Sequence, residues 1–168
     1  DSADEQDSDH PVELAIMGDT LLSCAGREAK VVVPAGVKEL EEYSFYNDTA
    51  LQEIELPEGL EEIGKSAFEG CSSLKRIVIP EGVRSIREKT FCECTALQEI
   101  RLPDGLKEIG SDAFSGCRSL RQITVPVGVK CIETAVFQSC RALQEVHLPE
   151  GLEQIGMFAF EDCDTLTR

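Results

Sequence analysis

Apolar positions return along this chain on a fixed beat. Between Leu51 and Leu74 they fall at Leu51, Ile54, Leu56, Leu60, Ile63, Ala67, Phe68 and Cys71. Ile54 and Leu56 alternate with Glu53 and Glu55, the period-two pattern of a half-buried strand. Pro57 cannot donate to a strand ladder and ends it, and Gly59 permits the turn that follows. Leu60 and Ile63 begin a second short extended segment. The stretch Lys65–Gly70 is too short for a full helix, so one turn of 3₁₀ or α is expected there. Phe68 is predicted to fill the interior, with Cys71 as a small apolar residue at the last corner.

The same order of residues recurs every 23 positions. Proline stands at Pro34, Pro57, Pro80, Pro103, Pro126 and Pro149, and phenylalanine at Phe45, Phe68, Phe91, Phe114, Phe137 and Phe160. Leucine holds the same interval from Leu51 to Leu166, glycine from Gly36 to Gly151, and cysteine from Cys71 to Cys163. No unit covers its own inward side chains, so neighbouring units must stack, with their strands about 4.8 Å apart. A longer period of 46 is also visible: GLEEIG, GLKEIG and GLEQIG alternate with GVKELE, GVRSIR and GVKCIE. That pattern records duplication of a two-repeat block.

Residues 12–33 depart from the beat. Val12–Met17 and Thr20–Cys24 flank Gly18-Asp19, a two-residue hairpin turn signal. Residues 12–25 are therefore expected to form a hairpin that caps the first coil, since an open solenoid end exposes apolar surface and a strand edge. Residues 1–11 carry acids and no base, and are expected to be a disordered leader. Residues 12–168 are expected to be a single repeat domain, with repeats over 26–168 and the last repeat cut short. Met157 and Phe158 replace polar or small residues in the last unit and are expected to pack against a following coil, the alternative being a small exposed apolar patch. The chain does not begin with Met, which suggests a removed export segment or a trimmed chain.

The string LxxIxLPxGLxxIGxxAFxxCxxL, as in residues 51–74, closely resembles the BspA-type (Treponema pallidum type) leucine-rich repeat, over roughly residues 26–168. The resemblance implies an α/β repeat solenoid rich in β-structure: a right-handed leucine-rich-repeat superhelix of six 23-residue repeats with an N-terminal β-hairpin cap. It also implies a bacterial or protist surface protein, several relatives of which take part in adhesion to host matrix proteins or to other bacteria. Three positions depart from the pattern. Asp48 stands where the first cysteine belongs, Val136 where Ala usually precedes Phe, and Cys131 at a normally polar position.

Charge narrows the partners. Acids outnumber bases 32 to 16, giving a net charge of −16. Such a surface repels a phosphate backbone, so nucleic acid is not an expected partner. No apolar run reaches the length of a membrane span.

Each catalytic motif meets a plainer reading. Residues Gly59–Ser66 formally match the phosphate loop GxxxxGK[ST]. Gly59 and Gly64 are repeat glycines, however, and Leu60 and Ile63 belong to the core ladder. The leader's aspartates lack the glycine and bidentate glutamate of a calcium loop. Cysteines 23 apart on stacked coils lie parallel, which favours buried free thiols over disulfides or a metal array. Cys131, on an exposed row, is the one reactive-thiol candidate. His147 has no nucleophile and orienting acid beside it. Asn47-Asp48-Thr49 is a glycosylation sequon, relevant only in a eukaryotic secretory setting. No enzyme, cofactor or metal site is expected.

The remaining candidate is the outward face of the strands. One row runs Lys30, Glu53, Arg76, Glu99, Gln122, Glu145, and its first four members alternate in sign, so neighbours attract across strands. The next row runs Val32, Glu55, Val78, Arg101, Thr124, His147. The expected function is a non-catalytic, cell-surface or secreted module that binds a protein ligand, a host matrix protein or another surface protein, on this face. The alternatives are a spacer within a larger surface protein or a cytoplasmic interaction scaffold. A monomer or weak end-to-end association is expected.

Overall fold

The computed structural model describes residues 13–168; the acidic leader lies outside the described residues. The chain coils six times. Each coil carries one three-residue strand and, after the Pro-turn, one two-residue strand. The long strands are β3 (Lys30–Val32), β5 (Glu53–Glu55), β7 (Arg76–Val78), β9 (Glu99–Arg101), β11 (Gln122–Thr124) and β13 (Glu145–His147). The short ones are β4 (Glu39–Leu40), β6 (Glu62–Ile63), β8 (Ser85–Ile86), β10 (Glu108–Ile109), β12 (Cys131–Ile132) and β14 (Gln154–Ile155). Pairing between coils is parallel with a register of 23, as in Lys30 opposite Glu53 and Arg76 opposite Glu99.

The expected hairpin is present as β1 (Glu13–Met17) and β2 (Thr20–Ala25), joined at Gly18-Asp19. β2 pairs in parallel with β4, and Leu21 is fully buried against the first coil. The hairpin thus occupies the place of a preceding short strand and closes that end of the short-strand side.

The interior is a set of columns. Phe45, Phe68, Phe91, Phe114, Phe137 and Phe160 stack face to face, with centroids 5.2–5.7 Å apart. Each contact adds about 0.5–1.5 kcal/mol beyond burial itself. Leu60, Ile63, Leu74, Val83, Ile86 and Leu97 form parallel columns and are fully buried.

The third segment of each coil differs from expectation. No helical turn is found at Lys65–Gly70 or its equivalents; the segment is a run of tandem turns. The reason lies in two left-handed residues, four apart, in every coil. Tyr43, Ser66, Lys89, Asp112, Ala135 and Phe158 hold the first position, with φ between 55° and 59°. Asn47, Gly70, Glu93, Gly116, Ser139 and Asp162 hold the second, also at positive φ. A non-glycine residue there costs about 1–3 kcal/mol. The conformation aims alternate N–H groups at the next coil: Phe68 N–H meets Thr90 O at 2.9 Å, and Gly70 N–H meets Cys92 O at 2.9 Å. A helical turn would spend these donors within its own coil and leave the stack unbonded.

The cysteine ladder also does more than fill a corner. Each thiol donates to the carbonyl of a Phe 26 residues earlier: Cys71 to Phe45 at 3.0 Å, Cys94 to Phe68 at 3.1 Å, and Cys117 to Phe91 at 3.2 Å. Asp48 stands at the first coil, where the residue 26 earlier, Leu22, belongs to the hairpin. There an acceptor replaces the donor, and the Asp48 carboxylate caps the N–H groups of Ala50 and Leu51.

Candidate functional site

The long strands carry both sequence-predicted rows on one face. Burial along each strand runs exposed, buried, exposed for β3, β5, β7 and β11, so the outward residues stand clear of the core. Lys30, Glu53, Arg76, Glu99 and Gln122 are exposed and Glu145 is half-buried; Val32, Glu55, Val78, Arg101, Thr124 and His147 are all exposed. The structure therefore brings all twelve candidate residues to one surface.

That surface is concave. An open groove of about 1040 Å³ runs over β5, β7, β9 and β11. It is lined by Glu55, Val78, Arg101 and Thr124 on the strands and by Glu58, Asp104, Pro80 and Pro126 at the turns that follow them. The turn residues were not legible as part of the site, because they read as turn punctuation. The signal was there in the period: Glu58, Glu81 and Asp104 hold one position on three successive coils.

The charge pairing is less regular than the alternating row implies. Lys30 Nζ reaches Glu55 Oε1 at 3.4 Å, diagonally, rather than Glu53 directly opposite. Arg76 lies between Glu53 and Glu99 in register, yet neither carboxylate comes within 4.0 Å. Arg101 has Val78 opposite it and no ion pair among the described residues. His147 Nε2 meets Glu145 Oε1 at 2.9 Å on its own strand. Two guanidinium groups therefore stand open in the groove beside Val78, which is 61% exposed. This arrangement has the ingredients of a recognition surface: uncommitted donors, an apolar contact and concavity.

Elsewhere the plainer readings have physical causes. In the phosphate-loop match, Leu60 and Ile63 are fully buried, Lys65 Nζ pairs with Glu88 at 3.6 Å, and Gly64 lies against the backbone of Glu42. That loop has no room to wrap a phosphate. Burial, then the Asp48 charge, pushes the Cys71 thiol up to about 12, and Cys24 rises to about 11 for the same two causes. Cys131 is half-buried and its thiol is raised by burial and then by Glu133. Burial and the Glu133 carboxylate disfavour the Cys131 thiolate, so these surroundings do not activate it as a nucleophile. Among the described residues no three His, Cys, Asp or Glu side chains cluster as a metal site, and no helix is long and apolar enough to cross a membrane.

The coil, its 23-residue period and its Phe and Cys columns define a leucine-rich repeat solenoid. The family model described as the BspA type leucine rich repeat region matches residues 18–141 and 61–168 in six copies, and the chain belongs to this family. It is similar to a leucine-rich repeat protein of T. pallidum: 31% identity, TM-score 0.70, covering 93% of this chain and 88% of that one. It is similar also to the pneumococcal vaccine antigen PcpA, at 27% identity and TM-score 0.58, covering 79% of this chain and 31% of that one. A leucine-rich repeat protein from Bacteroides ovatus matches at 25% identity and TM-score 0.58 over 83% of this chain and 48% of its own. The chain thus spans less than half of the latter two proteins. No functionally curated protein matches it.

Proposed function

We propose that this chain is a non-catalytic protein-binding module whose ligand lies along the groove of the long-strand face. The observation that carries the reading is the open pair Arg76 and Arg101 around exposed Val78, on a concave face spanning four strands. Repeat solenoids present broad concave surfaces of this kind to protein ligands. Among the described residues side-chain columns fill the coil interior, and the groove is too open to exclude water from a reaction. Similarity to a vaccine antigen and to repeat proteins of bacteria supports a place on the cell surface, where the ligand would be a host matrix protein or another surface protein.

The test is saturable binding to purified matrix and surface proteins, with the double variant Arg76→Glu/Arg101→Glu beside the parent. A groove ligand loses about tenfold or more in affinity when two groove cations reverse. Equal binding by both proteins would move the site off this face.

A second reading has its own support. The sign alternation of Lys30, Glu53, Arg76 and Glu99 places opposite charges on neighbouring strands and so lowers repulsion across this face without a ligand, as expected of a spacer in a longer surface protein, although none of these neighbours closes to an ion pair. A spacer shows no saturable binding to any protein on the panel.

A further inference from the structure

The position just ahead of each short strand carries a different charge pattern from the long-strand face. Across the six coils it reads Lys38, Glu61, Arg84, Lys107, Lys130, Glu153. On the long-strand row, opposite signs follow one another. Here three cations follow one another on adjacent coils, in a chain with twice as many acids as bases. Stacked like charges repel across a strand ladder, so the row is not explained by the stability of the stack.

The coils hold these three residues in line. Lys107 N–H meets Arg84 O at 2.8 Å, and Glu153 N–H meets Lys130 O at 2.8 Å, so the ladder joins Arg84 to Lys107 directly, while Lys107 and Lys130 keep the 23-residue register on adjacent coils without a ladder bond between them. All three side chains are exposed, and none has a carboxylate within 4.0 Å among the described residues. The two lysines lie across the turn glycines of the following coils. A Cβ on Gly128 would stand 3.0 Å from Lys107 Nζ, and one on Gly151 would stand 3.0 Å from Lys130 Nζ. Glycine at these turns leaves room for the ammonium groups, which rise from adjacent coils whose backbones are spaced about 4.8 Å apart. The turn residue beside this stretch is Val127, 77% exposed, where the neighbouring coils have Asp104 and Glu150. The acid is missing where two lysines meet. An open groove of about 890 Å³ is lined by Lys107, Lys130, Arg87, Ser85 and Ser111, with Glu88, Glu108 and Glu133 along it, and Arg84 borders the neighbouring groove.

We propose that Arg84, Lys107 and Lys130 bind a short linear oxyanion chain, with phosphate or sulfate groups on neighbouring units meeting cations on neighbouring coils. The spacing selects the class. A lone phosphate reaches two of the cations at most, whereas a chain of oxyanions in line with the solenoid axis reaches all three. A ligand bearing many more charges would meet the acids on either side and the overall negative charge of the molecule, so the strip favours a short chain. The site is separate from the long-strand groove, and neither reading depends on the other.

The test uses the intact chain at low ionic strength with two probes, inorganic tripolyphosphate and a sulfated oligosaccharide, titrated by calorimetry. The variant is Lys107→Gln/Lys130→Gln. The charge-matched control is Lys75→Gln/Arg121→Gln. Saturable binding of either probe is expected, and the stronger of the two identifies the source of the oxyanion. The strip variant should bind about tenfold or more weakly and the control within about twofold. Without ligand, the strip variant should melt no lower than the parent, because it relieves like-charge repulsion. The proposal is overturned by absence of saturable binding of both probes, by equal losses in variant and control, or by an unliganded strip variant that melts well below the parent.

Discussion

The two ends of the solenoid treat the same problem differently. At the first coil, the hairpin lays β2 against β4 and buries Leu21 completely. At the sixth, Ile155, Met157 and Phe158 are 54%, 68% and 53% exposed. Phe158 repeats the position of Tyr43, and Phe160 that of Phe45. Phe45 is 1% exposed, whereas Phe160 is only partly buried, packed against Phe137 on one side. The N–H groups of Phe158, Phe160 and Asp162 meet no carbonyl among the described residues, although the same positions in every earlier coil do. A coil of this repeat therefore neither closes its own core nor pairs all its own N–H groups. Its neighbours close its core and accept its hydrogen bonds.

Substitutions can break that comparison, and the largest effect belongs to the aromatic column. Phe91→Ala, with a ring stacked on each side, should cost about 3–5 kcal/mol, as large-to-small changes in packed cores do. Phe160→Ala should cost less than half as much. Denaturant unfolding of the two variants reads the difference, and equal losses would show that the end coil is packed as tightly as the middle.

Next comes backbone approach. A Cβ on Gly110 would lie 2.6 Å from Glu88 N, whereas Gly59 faces open space. Gly110→Ala should lower stability by about 1–3 kcal/mol, the usual cost of overpacking, and Gly59→Ala by much less. Thermal melting distinguishes them.

The thiols give a pH test. Burial, and then neighbouring charge, raises the Cys71 thiol from an ordinary 9.0 to about 12, and raises Cys94 and Cys117 as well. In the unfolded chain these thiols ionise near their ordinary value; in the folded chain they stay protonated. Their contribution is complete below pH 9 and is lost as pH climbs from 9 toward 12. Each fully buried thiol adds at most about 1.4 kcal/mol per pH unit to that slope. Cys94→Ala/Cys117→Ala should flatten the alkaline limb of the stability profile, and an unchanged limb would assign it to other groups. The smallest effect is expected for Arg101→Glu on the exposed face, within about 0.5 kcal/mol of the parent by denaturant unfolding. A larger loss would make Arg101 structural rather than available to a ligand.

The period, the strands and the Phe column are plain in the sequence because each is a matter of residue type at a fixed interval. The left-handed positions are not. Tyr43, Lys89 and Glu93 hold positive φ without being glycine, and they do so because the next coil accepts the N–H groups that this conformation releases. A single unit read alone suggests a helical turn at that place. The thiol bonds were hidden for a similar reason, since their acceptors lie 26 residues back, three more than the repeat. On the face, the interval places every outward residue correctly. It does not reveal the diagonal Lys30–Glu55 pair or the turn residues that line the groove, which depend on side-chain reach and on the curvature of the stack.

The claim that each coil is completed by its neighbours is tested most directly by amide hydrogen exchange, coil by coil, on dilute monomer. The N–H groups of Phe45, Phe68, Phe91, Phe114 and Phe137 should be strongly protected, and those of Phe158, Phe160 and Asp162 should exchange at nearly open-chain rates. A Phe160 amide as protected as that of Phe91 would contradict the account, since it would mean that the last coil closes itself.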